Sequence, residues 1–149
     1  LHGFPKFWTK APALVDEPEN PRRIAITGGP DQASDKWFHY FFYGRHFQNR
    51  IEYVPATRDG AVVQLRPQGA LEQRADRETW LRRLERRGIT ELLSFPPRSI
   101  ELGWAEGMPE RFERLDGDKS WGLYRLKPPP GGASEQEADA DQVQLQQER

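Results

Sequence analysis

Two short runs bound what this chain can become. The first is Arg22-Arg23-Ile24-Ala25-Ile26-Thr27, closed by Gly28-Gly29-Pro30; the second is Asn49-Arg50-Ile51-Glu52-Tyr53-Val54, closed by Pro55. Each is brief, β-branched or aromatic, and stopped by glycine or proline, which is how a buried strand reads. Twenty-odd residues separate them, too many for a hairpin and enough for a crossover. A third run, 89–95, ends in Pro96-Pro97 and follows a strong helix signal. Strand, crossover, strand, helix, strand is the grammar of parallel pairing with right-handed connections. The expected fold is therefore α/β: a small Rossmann-like sheet of about four to five strands, with one main helix, a short helix and a closing antiparallel hairpin.

The main helix is predicted over 77–87. Asp76 stands where an N-cap accepts first-turn amides, and Trp80, Leu81 and Leu84 form a narrow apolar stripe. Gly88 occupies the left-handed C-cap position, with Ile89 placed to fold back on the stripe. Arg82, Arg83, Arg86 and Arg87 load the end that the helix dipole favours for cations; they read as a solvated face or as a site for an anionic partner. Ser99 caps a predicted short helix over 100–106. A turn at 109–112 then leads through Asp116-Gly117-Asp118 to a last strand over 121–126. An edge strand over 61–65 is also expected, cut off by Pro67. Segment 35–44 holds six aromatics in ten positions; it reads as a short helix or irregular turn, largely buried and ended by Gly44.

Composition sets the frame. At 149 residues the chain suits one domain with a modest core, and 36% hydrophobic against 30% charged residues implies a heavily solvated surface. The net charge is −1. Five acids and one base after Lys127 place about −4 on the tail and about +3 on the rest, too weak a basic character for nucleic-acid binding. Three domains of behaviour follow: an extended, aromatic and proline-rich lead-in over 1–21, a folded domain over 22–127, and an acidic tail over 128–149 too poor in apolar surface to order itself. The lead-in aromatics Phe4, Phe7 and Trp8 either pack on the domain or mark a segment beside a membrane. The chain has no cysteine, which removes disulfides, cysteine-ligated zinc and thiol catalysis. It starts at Leu1 and its one methionine is Met108, so a piece of a longer protein is expected.

Chemistry is sparse. Gly28-Gly29-Pro30-Asp31-Gln32-Ala33 lacks the third glycine of a dinucleotide fingerprint, Asp31 would repel phosphate, and no Walker lysine follows. His2, His39 and His46 have no zinc-like spacing. Ser34, Ser94, Ser99 and Ser120 lack the strained G-x-S-x-G elbow. Asp31 with Asp35, or Glu101 with Glu106, would be the carboxylate pairs, and neither is set apart from ordinary solvated acids. The aromatic cluster reads as core packing or as a surface for sugar rings or lipid headgroups. No cofactor is expected. If the domain binds a ligand, the candidate crevice is Gly28, Gly29, Asp31, Asn49, Arg50 and Phe95, around the strand ends.

Residues 21–126 resemble the soluble C-terminal region of bacterial multi-pass membrane glycosyltransferases related to protein mannosyltransferases and aminoarabinose transferases. The likeness is carried by Arg23-Ile24-Ala25-Ile26-Thr27-Gly28-Gly29 and by Tyr43-Gly44-Arg45-His46-Phe47-Gln48-Asn49-Arg50-Ile51-Glu52-Tyr53-Val54. It continues in Trp80-Leu81-Arg82-Arg83-Leu84, Gly88-Ile89-Thr90-Glu91-Leu92-Leu93, Trp104-Ala105-Glu106 and Pro109-Glu110-Arg111-Phe112-Glu113-Arg114-Leu115. The resemblance implies a non-catalytic domain on the extracytoplasmic (periplasmic) face, behind the last transmembrane helix of an enzyme that uses polyprenyl-phosphate sugars. Its partners would be the membrane-embedded part of the same parent chain, and polyprenyl-phosphate sugar or lipid headgroups. The catalytic acids of that family lie between transmembrane helices, so none is carried onto this chain.

Overall fold

A computed structural model describes residues 10–27, 37–61, 73–95, 98–119 and 121–131. Its centre is a five-stranded mixed sheet in the order β2-β1-β3-β5-β4. The strands are β1 (Arg23–Ile26), β2 (Arg50–Tyr53), β3 (Glu91–Ser94), β4 (Phe112–Gly117) and β5 (Gly122–Leu126). β1 pairs in parallel with β2 (Ile24 opposite Ile51) and with β3 (Ile26 opposite Leu93), while β5 lies antiparallel to both β3 and β4. The small α/β fold with a closing hairpin is thus the one expected from the strand grammar.

The two helices are α1 (Arg77–Arg86) and α2 (Ile100–Glu106). Both begin as the local signals require. Asp76 accepts the Thr79 amide at 2.9 Å, and Ser99 accepts the Leu102 amide at 3.2 Å. At the far end of α1 the Gly88 amide reaches the Glu85 carbonyl and the Ile89 amide reaches the Leu84 carbonyl. Gly88 has φ +62°, the left-handed cap that lets Ile89 turn back onto the core. A bulge between Arg114 and Asp116 bends β4. Gly117 then closes the hairpin at φ +144°, where a Cβ would meet the Trp121 carbonyl oxygen at 2.6 Å.

Alternation along the strands sends side chains to two faces. On one, Ala25 and Leu92 meet Trp80 and Leu84 of α1 and Leu102 and Ala105 of α2. On the other, Ile24, Ile26 and Leu93 meet Ala11, Val15 and Phe42. This second face is covered by two 3-10 helices, η1 (Ala11–Val15) and η2 (Trp37–Tyr43). The faces follow from the crossovers: the chain moves from β1 to β2 one way and from β2 to β3 the other, so two right-handed crossings fall on opposite sides.

Two expectations are corrected here. The stretch before β1 is not a plain extended lead-in. Pro12 opens η1, and Ala11 and Val15 are fully buried, so the packed unit begins before residue 22. Nor is the aromatic segment largely buried: of the side chains described there, Phe42 is buried whereas Tyr40 and Phe41 are exposed. A 3-10 helix has three residues per turn, so it turns a narrow set of positions inward and directs their neighbours outward. Residues 62–65 of the expected edge strand, the aromatics Phe4, Phe7 and Trp8, and tail residues 132–149 lie outside the described residues.

Candidate functional site

In an open sheet whose chain leaves β1 toward β2 and returns to β3, the C-terminal ends of β1 and β3 flank a topological switch point, the usual place for a ligand. Thr27 and Ser94 stand at those ends, both buried. The Thr27 amide continues the ladder to the Leu93 carbonyl at 3.2 Å, and its Oγ1 donates to Ser94 Oγ at 2.9 Å. Ser94 Oγ lies 3.3 Å from Ser99 Oγ, the α2 cap. The three hydroxyls therefore form a short chain that ties the sheet edge to a helix start. Buried and bonded to one another, Thr27 and Ser94 hold the fold together and are not presented to a substrate.

Glu101, one residue into α2, is buried as well. Burial pushes the Tyr53 hydroxyl up to about 12, and the Glu101 carboxylate adds to the shift. Next to this edge, Arg98 forms an ion pair with Glu106 across α2. That pairing, with its charge-assisted hydrogen bonds, holds the Glu106 carboxyl below its usual range. Beside it, Glu106, Phe112, Arg114 and Tyr124 line an open groove of about 370 Å³ between α2 and β4.

Of the six residues of the expected crevice, the three described ones, Asn49, Arg50 and Phe95, do not converge. Phe95 is at the switch-point edge, but its ring is buried in the other face, edge-on to Phe42 with centroids 6.4 Å apart. Asn49 and Arg50 are at the opposite end of the sheet, since Arg50 pairs with Arg23 whereas Phe95 lies beyond the Leu93–Ile26 pair. Five residues of strand separate the two levels, roughly 16 Å. Gly28, Gly29 and Asp31 lie outside the described residues.

Asn49 instead joins three pieces of backbone. Its Nδ2 donates to the Val15 carbonyl at 2.7 Å and the Phe42 carbonyl at 2.9 Å, and its Oδ1 accepts the Arg22 amide at 2.8 Å. Asp16 plays a matching part for the turn after η2. Its carboxylate accepts the Arg45 amide at 3.0 Å, Arg45 Nε at 2.7 Å and Gln48 Nε2 at 3.0 Å. The Arg45 amide and the Gln48 side chain are the leading causes that hold this carboxyl below its usual range. Two of the helix arginines are also structural. Arg83 donates to the carbonyls of Pro55, Thr57 and Arg58, and Arg87 to Glu52 and the Tyr53 carbonyl. They bind α1 to the chain leaving β2, so the cationic helix end is not simply a solvated face.

The aromatic cluster, which the sequence left open between core packing and an exposed surface, lies on the 3-10 face. Tyr40 is 59% exposed, Phe41 46% and Phe47 79%, and Leu14 of η1, in the same layer, is 40% exposed. Tyr40 stacks on His39 and Tyr43 with centroids 4.6 and 6.0 Å apart. The density of aromatics was visible in the sequence; which of them turn outward was not. Among the described residues no group of three or more His, Asp or Glu side chains is placed to hold a metal ion, and no helix is long and apolar enough to cross a membrane.

No family model, curated protein or solved structure matches this chain. The fold itself defines the class, a small mixed-sheet α/β domain, and its functional reading rests on the residues above.

Proposed function

We propose that this chain is a non-catalytic accessory domain of a membrane glycosyltransferase-like protein that uses polyprenyl-phosphate sugar donors, and that it works on the extracytoplasmic face as a docking module. One observation carries the reading. The stretches that resemble that family are here the builders of the scaffold: β1, the η2–β2 turn with Asn49, α1 with its Gly88 cap, the end of α2, and β4. A likeness of scaffold residues supports a likeness of scaffold role. The polar groups at the sheet edge act in the same sense, because Thr27, Ser94 and Ser99 bond to each other and Arg98 bonds to Glu106.

A second reading is a ligand-binding α/β domain for a nucleotide or sugar. The β1/β3 switch point favours it, since that is where such folds take ligands. Thermal-shift titration separates the two, using short polyprenyl phosphates, nucleotides and nucleotide sugars as probes. A ligand at 100 times its Kd stabilises the folded state by about 2.7 kcal/mol, a rise in Tm on the order of 10 °C. A rise with polyprenyl phosphates supports the accessory reading. A rise with nucleotides or nucleotide sugars alone replaces it with the second. Sugar transfer by the isolated chain from a polyprenyl-phosphate donor would refute the non-catalytic assignment.

A further inference from the structure

The groove between α2 and the closing hairpin has its polar groups held in place before anything enters it. Tyr124 of β5 and Arg114 of β4 are register partners, so both stand on the α-helical face of the sheet with Phe112. The Tyr124 ring lies against Gly122: a Cβ there would meet Tyr124 Cε2 at 2.4 Å, so glycine is what lets the ring lie where it does. The Arg114 guanidinium donates to the Gly117 carbonyl in the hairpin. Arg98 Nη1 donates to Glu106 Oε1 at 3.1 Å and to the Lys119 carbonyl at 3.1 Å, which anchors the Glu106 carboxylate.

One polar group is left over. Tyr124 is 3% exposed, yet its hydroxyl makes no hydrogen bond to any described residue, and Tyr124 lines the groove. Buried hydroxyls are rarely without a partner, and this one can complete its bond only from the groove. Burial lifts it above its usual range, Glu106 adds to the shift, and Arg114 and Arg98 oppose it, so three charged groups surround one oxygen. Arg114 has further N–H groups to offer, and each Glu106 oxygen a further lone pair. Ala105, Pro109 and Phe112 supply an apolar wall.

The charges select the ligand. Glu106 and Glu113 stand against Arg98 and Arg114, two of each sign. A phosphate or carboxylate would meet two acids, and an ammonium group would meet two guanidinium groups. An apolar molecule would strand the Tyr124 hydroxyl and strip water from Glu106. A neutral ring with several hydroxyls both gives and accepts hydrogen bonds, and its C–H faces suit the apolar wall. A volume of about 370 Å³ is near the lower end for ligand sites, room for one ring and not for a chain.

We propose that Tyr124, Glu106 and Arg114 form a binding site in the α2–β4 groove for one neutral polyhydroxylated ring of monosaccharide size. The Tyr124 hydroxyl and the Arg114 guanidinium donate to ring oxygens, and the Glu106 carboxylate accepts from ring hydroxyls. The site lies across β5 and β4 and not between β1 and β3. It does not depend on the membrane-side reading, so either can fail alone.

The test is titration of the isotope-labelled chain with glucose, mannose and galactose, followed through its backbone amide resonances. At least one sugar should bind with a Kd on the order of 1 mM, fitting for so small and neutral a ligand. It should move the amides of 105–114 and 122–125. Glucuronate, a similar ring with a carboxylate, should bind about fivefold more weakly, since it faces Glu106 and Glu113. Tyr124→Phe should weaken sugar binding about five- to tenfold, one hydrogen bond lost. It should melt no lower than the parent chain, because the hydroxyl has no partner in the fold. Arg114→Gln should weaken binding about fivefold. Absence of binding by all three sugars overturns the proposal, as does equal binding by Tyr124→Phe or by glucuronate. Resonance changes confined to the ends of β1 and β3 overturn it too, because the sugar then sits at the switch point.

Discussion

The two faces of the sheet are closed by different means. The α-helical face is closed by apolar packing under two capped helices, with Trp80 stacked on Phe112 at 5.8 Å and tilted against Trp104 at 5.4 Å. The 3-10 face has shorter covers, and much of its cohesion is polar: one buried asparagine and one aspartate bond three backbone segments together. A regular helix with a matched stripe turns its large side chains inward over several turns. A 3-10 turn anchored by Phe42 has no such stripe, and the rings beside the anchor face water. Both faces hold buried apolar clusters, and the second adds polar ties and leaves large rings exposed.

Substitutions that strike one face and spare the other test this contrast. The largest loss is expected from Trp80→Ala, about 4 kcal/mol from lost packing and the remaining cavity, measured by urea unfolding. Asn49→Ala should cost nearly as much, about 3 kcal/mol, because two buried carbonyls and an amide lose their partner. If Asn49→Ala unfolds at the same urea concentration as the parent, polar cohesion of the second face is not what holds it. Gly88→Ala should cost about 1 kcal/mol: the built Cβ meets nothing closer than Arg23 Nη1 at 3.7 Å, so the penalty is backbone strain alone. Phe47→Asn should leave stability level or raise it by a few tenths of a kcal/mol, since Phe47 is held at φ +54°, where Asn is less strained.

The smallest signals are two pH slopes of opposite sign. Glu91 of β3 shares the 3-10 face with Leu93 by alternation, fully buried, with Arg22 at 3.3 Å and Arg125 at 3.9 Å. Burial nevertheless raises its carboxyl above the usual range. The folded state therefore holds this proton more tightly than the unfolded chain does, and that contribution is lost as pH rises through the folded pKa. Glu91→Gln should accordingly gain on the parent chain as pH rises from acid toward neutral. Glu106 is the reverse case, lowered by Arg98, so its contribution is present at neutral pH and lost as pH falls through its folded pKa. Glu106→Gln should lose ground as pH rises, by a few tenths of a kcal/mol at most for so exposed a pair. Parallel slopes for the two variants would contradict this account.

Much of the fold was legible because its signals are local. Asp76, Ser99 and Gly88 cap their helices through groups within a few residues, and the runs ending at Gly28, Pro55 and Pro96 are the strands that pair in parallel. The candidate site was less so. Phe95 carried no mark to distinguish a buried ring from a crevice wall, and Asn49 read as a ligand-facing amide while its partners lie 34, 7 and 27 residues away. The aromatic segment revealed its density without its orientation, since a 3-10 turn and a buried strand of that composition differ only once neighbours are in place.

Short-range chemistry, written in the sequence alone, determined the two α-helices with their caps and the turn of the closing hairpin. Each depends on backbone preference or on hydrogen bonds spanning a few residues. Only the tertiary structure decided which end of the sheet Asn49 occupies, which arginines fasten α1 to β2, and which aromatics face water. Those outcomes depend on contacts between segments far apart in the chain, and a side chain's exposure is set by what packs against it.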